Sequence, residues 1–223
     1  MYLHNYKDIV GNCAFVTTMA HMLTGTLICK DIYQKGTAKG CDPMPFIGGI
    51  GMCVLMLKYA LILQDPAMIN INLFGVATNV AYMLVYYIYS PHKADVMNKL
   101  GKATLFVALV LGYAQIESKE HVEYRYGILT TILFLVLIGS PLFNLGEIIR
   151  TKSTAMLPFP LIFMGTVVAF QWLIYGLIIN NSFIILQNFV GLMLSLAQLS
   201  LFAIYPSQSN DKELKIKSDK KEK

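Results

Sequence analysis

The run Ile185-Leu186-Gln187-Asn188-Phe189-Val190-Gly191 places a carboxamide inside a segment otherwise built of Leu, Ile, Val, Phe and Met. A second run, Ile69-Asn70-Ile71-Asn72-Leu73-Phe74-Gly75, puts Asn72 in the slot of Asn188. A carboxamide in hydrocarbon raises the free energy unless it finds hydrogen-bond partners, so intramembrane polar groups face a bundle interior or a water-filled cavity. One such Asn can simply join two helices, a contact worth about 0.6 kcal/mol on average in membranes. Two in the same slot of a repeat point to a pair facing one site.

Outward from these runs the chain stays apolar. Of its 223 residues 56% are hydrophobic and 14% charged, and the mean hydropathy is +0.55. Stretches near the ~20 residues that span a bilayer recur seven times, at about 8–28, 44–64, 68–89, 101–116, 127–148, 158–179 and 183–205. The fourth is the shortest. Long continuous runs, rather than alternation over about ten residues, indicate helices and not a barrel. The fold class is an all-α membrane protein of seven transmembrane helices.

Charge sets the expected orientation. With the N-terminus outside, the inner side holds Lys30, Lys35, Lys39, Lys93, Lys99, Lys102, Arg150 and Lys152, against Lys7, Lys119 and Arg125 outside. Cationic loops stay cytoplasmic, so the chain reads as N-out, C-in. The net charge of +5 is thus a topology signal and does not argue for nucleic acid. Cys13, Cys29, Cys41 and Cys53 fall in the first quarter, two of them within spans, so no disulfide framework is expected. No cleavable signal peptide is visible before the first span. The Lys-rich tail 207–223 has almost no apolar residues and reads as disordered.

An offset of 116 residues carries Tyr59, Leu61 and Ile62 onto Tyr175, Leu177 and Ile178. It also carries Ile69, Asn72, Gly75 and Tyr89 onto Ile185, Asn188, Gly191 and Tyr205; with one residue of slip, Pro45 falls on Pro160. The unit is three helices. Two such units joined directly would insert in opposite orientations, and one extra helix restores the same orientation. The expected architecture is 3+1+3: a first repeat at 1–89, an inner loop and linker helix at 90–117, a second repeat at 118–206, then the tail.

With Ser140-Pro-Leu-Phe-Asn-Leu145, Arg150-Thr-Lys-Ser-Thr154, Gln171-Trp-Leu-Ile-Tyr-Gly176 and the two Asn-x-x-Gly runs, residues 8–206 resemble the SWEET (MtN3/saliva) sugar transporters of the animal, insect-like type. That family is a known case of parallel repeats with the substrate at their interface near the midplane. The resemblance implies bidirectional facilitated diffusion of mono- or disaccharides by alternating access, in the plasma membrane or the Golgi, and association into homo-oligomers. It makes Asn72 and Asn188 the sugar-binding amides and Trp172 one of two stacking aromatics, whose repeat partner here is Met56. It makes Pro45, Pro141 and Pro160 hinges of the inner gate, with Gly25 of Thr24-Gly25 in the fourth hinge position.

The chemistry suits these roles. An amide both donates and accepts, as sugar hydroxyls do, and an aromatic face matches the C–H side of a pyranose. Met in place of a second Trp leaves a flexible, polarisable wall, which puts the family's usual sugar preference in question. The blander readings are a packing aromatic for Trp172, static kinks for the prolines and a satisfied packing group for His21. Lys58, seven residues before Asp65, reads as a snorkelling lysine that pairs with it. Asn180-Asn181-Ser182 is a glycosylation sequon at an outer turn.

A proton-coupled carrier of the PQ-loop type is the nearest alternative, but the corresponding positions read Pro141-Leu142 and Gly25-Thr26. A seven-helix receptor is disfavoured by the repeat. An enzyme would need a nucleophile–base pair or metal cluster in a span, and none is spaced for it. No cofactor or metal is implied. A non-transporting trafficking or scaffold role is the last alternative.

Overall fold

The computed structural model describes residues 6–139, 150, 154 and 159–205. These residues are helical throughout, with short connections: α1 (Lys7–Leu23), α2 (Gly25–Lys35), α3 (Met44–Leu63), α4 (Pro66–Tyr89), α5 (Lys93–Ile116), α6 (Val122–Gly139), α7 (Phe159–Ile178) and α8 (Ser182–Ile204). α1 and α2 form one span, so seven segments are long and apolar enough to cross a bilayer. Large apolar side chains such as Leu105, Val136, Ile88 and Leu27 stand exposed around the bundle, as a lipid-facing surface requires.

Three boundaries differ from the hydropathy reading, one of them the start of α6 at Val122 rather than 127. The fourth span is not short: α5 has 24 residues, and the charges of Lys93, Asp95, Lys99 and Lys102 hid its first three turns. The first span runs past Cys29 to Lys35, where Gly36 ends it at φ 64, a left-handed conformation that glycine adopts without strain. Tyr86 is buried and its hydroxyl donates to Cys41 O at 3.0 Å.

The two tight turns are copies. Gln64 and Asn180 each take φ 54. The next residue's N–H reaches back to Ala60 O at 3.1 Å in one turn and to Gly176 O at 3.0 Å in the other, closing the preceding helix in a Schellman-like turn. Asp65 then caps α4 by accepting from Met68 N at 3.0 Å, and Asn181 caps α8 by accepting from Phe183 N and Ile184 N, both at 3.1 Å. Such caps are each worth about 1 kcal/mol. At the other end of the bundle, Ala38 N donates to Tyr89 O at 2.9 Å and Thr154 Oγ1 to Tyr205 O at 3.1 Å. Ala38 and Thr154, like Tyr89 and Tyr205, lie 116 apart.

Packing follows one pattern in each half. α4 packs on α3 and α1, and α8 packs on α7 and α6; across the halves α1 meets α7 and α6 meets α3. α5 packs on α3. Close approach is made by Gly11, whose added Cβ would lie 3.0 Å from the Tyr175 ring, and by Gly127, 116 residues later, where it would lie 2.6 Å from Phe183. A buried cluster of Ala14, Leu55, Tyr59, Met68, Tyr126 and Tyr175 joins the two halves.

The loop 117–121 is held by charge. Glu117 accepts from Tyr113 Oη at 2.7 Å, from Arg125 Nη1 at 2.9 Å and from Ser118 N at 3.1 Å. These three donors, Tyr113 foremost, hold its carboxyl down at about 2.

Candidate functional site

A cavity of about 180 Å3 lies between the halves. That is small beside the roughly 300–1,000 Å3 of drug-sized pockets, so it suits one compact solute. Its walls are largely repeat partners 116 residues apart: Thr18 faces with Phe134, Met56 with Trp172, and Met68 with Ile184. Ile71 with Gln187 and Asn72 with Asn188 complete the equivalent pairs, while Met22 and Val168 fill the remaining wall. The structure thus brings Asn72, Asn188, Trp172 and Met56 to one cavity. None of the described residues lining it is ionisable.

The two asparagines are held alike. Asn72 Nδ2 donates to Met68 O at 2.8 Å and Asn188 Nδ2 to Ile184 O at 2.9 Å. One proton of each amide is tied to its own helix, which fixes the side-chain orientation. No buried side-chain oxygen or nitrogen among the described residues lacks a partner, and neither Oδ1 makes a bond to a described residue, so each carbonyl oxygen opens onto accessible space. Each amide retains one donor and one acceptor, the complement of a hydroxyl.

Trp172 is fixed from two sides. Its Nε1 donates to Thr18 Oγ1 at 2.9 Å, and its ring stands edge-on to Tyr175 with centroids 5.4 Å apart. Thr18 in turn donates to Ala14 O at 2.6 Å, so its hydroxyl is engaged by protein on both counts. At the residues just before Thr18 and Trp172, Thr17 Oγ1 donates to Gln171 Oε1. Sequence reasoning missed Thr18 and Gln187. Gln187 is 2% exposed and its Nε2 donates to Thr131 Oγ1 at 2.8 Å.

Next to the cavity residues Met68, Trp172 and Ile184, two cross-half contacts stand at equivalent positions. Tyr175 Oη donates to Asp65 Oδ2 at 2.7 Å, and Lys7 Nζ pairs with the same oxygen at 3.2 Å. Opposite, Asn181 Nδ2 donates to Tyr59 Oη at 3.0 Å. Both tyrosines are at most 1% exposed. The expected Lys58–Asp65 pair does not form. Lys7, entering from the first span, reaches Asp65 instead, and Lys58 makes no ion pair among the described residues.

The hinge positions fall in different local settings. Thr24 interrupts the first span, capping α1 and opening α2. Carbonyls near the break find other donors: Tyr82 Oη reaches Met22 O at 3.1 Å and Thr26 Oγ1 reaches Leu23 O at 2.5 Å. Gly25 lies flat against that tyrosine; an added Cβ would sit 2.4 Å from its ring. Pro160 is the second described residue of α7, and Pro45 is the second residue of α3, where proline removes no helical hydrogen bond. Bending there would act at the helix–loop joint. Pro141, with most of the Ser140–Leu145 and Arg150–Thr154 motifs, lies outside the described residues. Asn180 of the sequon sits in the left-handed turn position.

Comparison with known proteins agrees with this architecture. The family model described as "Sugar efflux transporter for intercellular exchange" matches residues 8–94 and 125–210. Sugar transporter SWEET1 of Drosophila pseudoobscura pseudoobscura is 31% identical over 205 residues, 91% of each chain. Sugar transporter SWEET1 of Caenorhabditis elegans is 29% identical over 92% of this chain and 68% of that one. A solved eukaryotic SWEET transporter superposes with a TM-score of 0.83 at 21% identity, over 91% of this chain and 98% of that one, a likeness of fold. Two matched stretches separated by α5, and a relative similar from end to end, place the chain in the SWEET (MtN3/saliva) family.

Proposed function

We propose that the protein is a facilitative, bidirectional carrier of a small sugar, working by alternating access. In this reading α1–α4 and α6–α8 form parallel three-helix repeats joined by α5, with the Asp65–Asn181 end outside. The sugar sits between Asn72 and Asn188, with Trp172 and Met56 on its flanks. The observation that carries the reading is the matched pair of amides, each with one proton tied to its own helix and the rest open to a shared cavity. The relatives named above are sugar transporters by name, which supports the cargo class.

The cycle follows from the arrangement. With the Asp65–Asn181 end latched, solute exchanges at the opposite end; breaking the latch while the chain bends at the hinge positions Thr24-Gly25, Pro45, Pro141 and Pro160 exposes the other side. None of the described wall residues is ionisable, which supports a flux that follows the sugar gradient without a coupling proton. Asn188→Ala is expected to abolish sugar flux in cells while the protein still reaches the membrane. Unchanged flux at equal surface level would remove the pocket assignment.

A further inference from the structure

The cavity is pseudo-symmetric in backbone but not in polarity. The first half contributes Met22, Met56, Met68 and Ile71 around one amide, Asn72. The second half sets two amides side by side on α8, because Gln187 stands where the repeat has Ile71. Gln187 is nearly fully buried, and a buried amide that is only half satisfied is costly. Its Nε2 is held by Thr131 Oγ1 at 2.8 Å, yet its Oε1 makes no bond within the described residues and is not enclosed. The oxygen therefore opens onto the cavity that the side chain lines, anchored by a threonine that itself stands behind the wall. Thr18, the other polar wall group, is already engaged by Trp172 and Ala14.

Resting on the proposed sugar pocket, we propose that Gln187 is a third sugar-binding amide and sets the substrate's orientation and class. Gln187 and Asn188 take neighbouring hydroxyls of a monosaccharide on the α8 side, and Asn72 takes one on the far side. The ring's less polar face lies against the thioethers of the first half. The preferred cargo is a single pyranose with adjacent hydroxyls to present to α8, and one hydroxyl is read through the Gln187 oxygen.

The test uses the full chain in proteoliposomes, with D-glucose as the transported probe and 2-, 3-, 4- and 6-deoxy-D-glucose as competitors. A site built to bond a hydroxyl rejects the analogue that lacks it, so the deoxyglucoses missing an amide-bonded hydroxyl, among them the one lacking the hydroxyl read through Gln187, should each compete about tenfold more weakly than glucose against the wild type. In Gln187→Leu that penalty should vanish for this analogue alone, the coupling expected of two groups in contact. Thr131→Val, which leaves the amide but removes its anchor, should give an intermediate penalty, and it decides the matter if Gln187→Leu is inactive or fails to accumulate. Analogue ratios unchanged in both variants, with uptake lost in Asn188→Ala, would overturn the role of Gln187 and leave the pocket standing. Normal uptake by Asn188→Ala, or no glucose uptake by the wild type, would overturn the pocket reading and this inference together.

Discussion

Replacing Tyr175 by Phe should loosen the cross-half contacts more than the same change at Tyr59, although the two residues are repeat partners. The tyrosine at 175 donates to a carboxylate at 2.7 Å, whereas Tyr59 accepts from the neutral amide of Asn181 at 3.0 Å. Hydrogen bonds to charged groups contribute about 1.5–3 kcal/mol and neutral ones about 0.5–1.5. Asp65 is 4% exposed, so water does not readily replace the lost hydroxyl, and Lys7 and Met68 N remain its partners. For a chain of this size 1 kcal/mol moves the melting temperature by roughly 2–4 °C. Tyr175→Phe should therefore lower it by roughly 3–12 °C and Tyr59→Phe by roughly 1–6 °C. Thermal unfolding of the purified protein in detergent measures both. The ionic side should also be non-additive: Tyr175→Phe on an Asp65→Asn background should lose much less than on the wild type. A drop for Tyr59→Phe equal to or larger than that for Tyr175→Phe would refute the assignment of the stronger contact to Asp65.

Other expectations concern the hinge, the pocket wall and the loop charge. Gly25→Ala drives a Cβ to within 2.4 Å of the Tyr82 ring, an overpacking that costs about 1–3 kcal/mol; unfolding should shift accordingly, and Tyr82→Leu should relieve it. Trp172→Phe keeps an aromatic face but loses the donor to Thr18; sugar affinity should fall several-fold with protein levels unchanged, read from half-saturation of uptake. Glu117, held at about 2, is an acid whose folded value is depressed. Its contribution is complete above the ordinary carboxylate range and is lost as pH falls through about 2. The difference in melting temperature between wild type and Glu117→Gln should hold steady from neutral pH to about pH 5 and then shrink towards pH 2.

The parts of the molecule legible in sequence were those with a strong periodic or positional signal. Seven apolar runs gave seven spans because hydrocarbon excludes everything else. The constant offset picked out Asn72 and Asn188, since a polar group in hydrocarbon is conspicuous twice over when it recurs. Signals without a repeat partner were lost. Gln187 maps onto Ile71, so symmetry gave no hint of it, and Thr18 looked like any helical threonine bonding its own backbone. The break at Thr24 carries no proline, and Tyr82, which braces it, lies 60 residues beyond Met22, whose carbonyl it bonds. The Lys58–Asp65 pairing was reasoned along one helix, but Asp65 sits past the end of α3, in a turn facing the first span, where Lys7 is nearer. Charges in the first turns of α5 masked a full-length span, because a hydropathy window discounts lysines whose heads reach the interface.

The most direct test of the central claim is uptake of labelled D-glucose by proteoliposomes holding the wild-type chain, with and without an imposed proton gradient. A facilitative carrier fills the vesicles to the outside concentration, runs equally well in either direction and ignores the proton gradient. Accumulation above equilibrium when the gradient is applied, or no uptake of glucose beyond that of empty vesicles, would contradict the account.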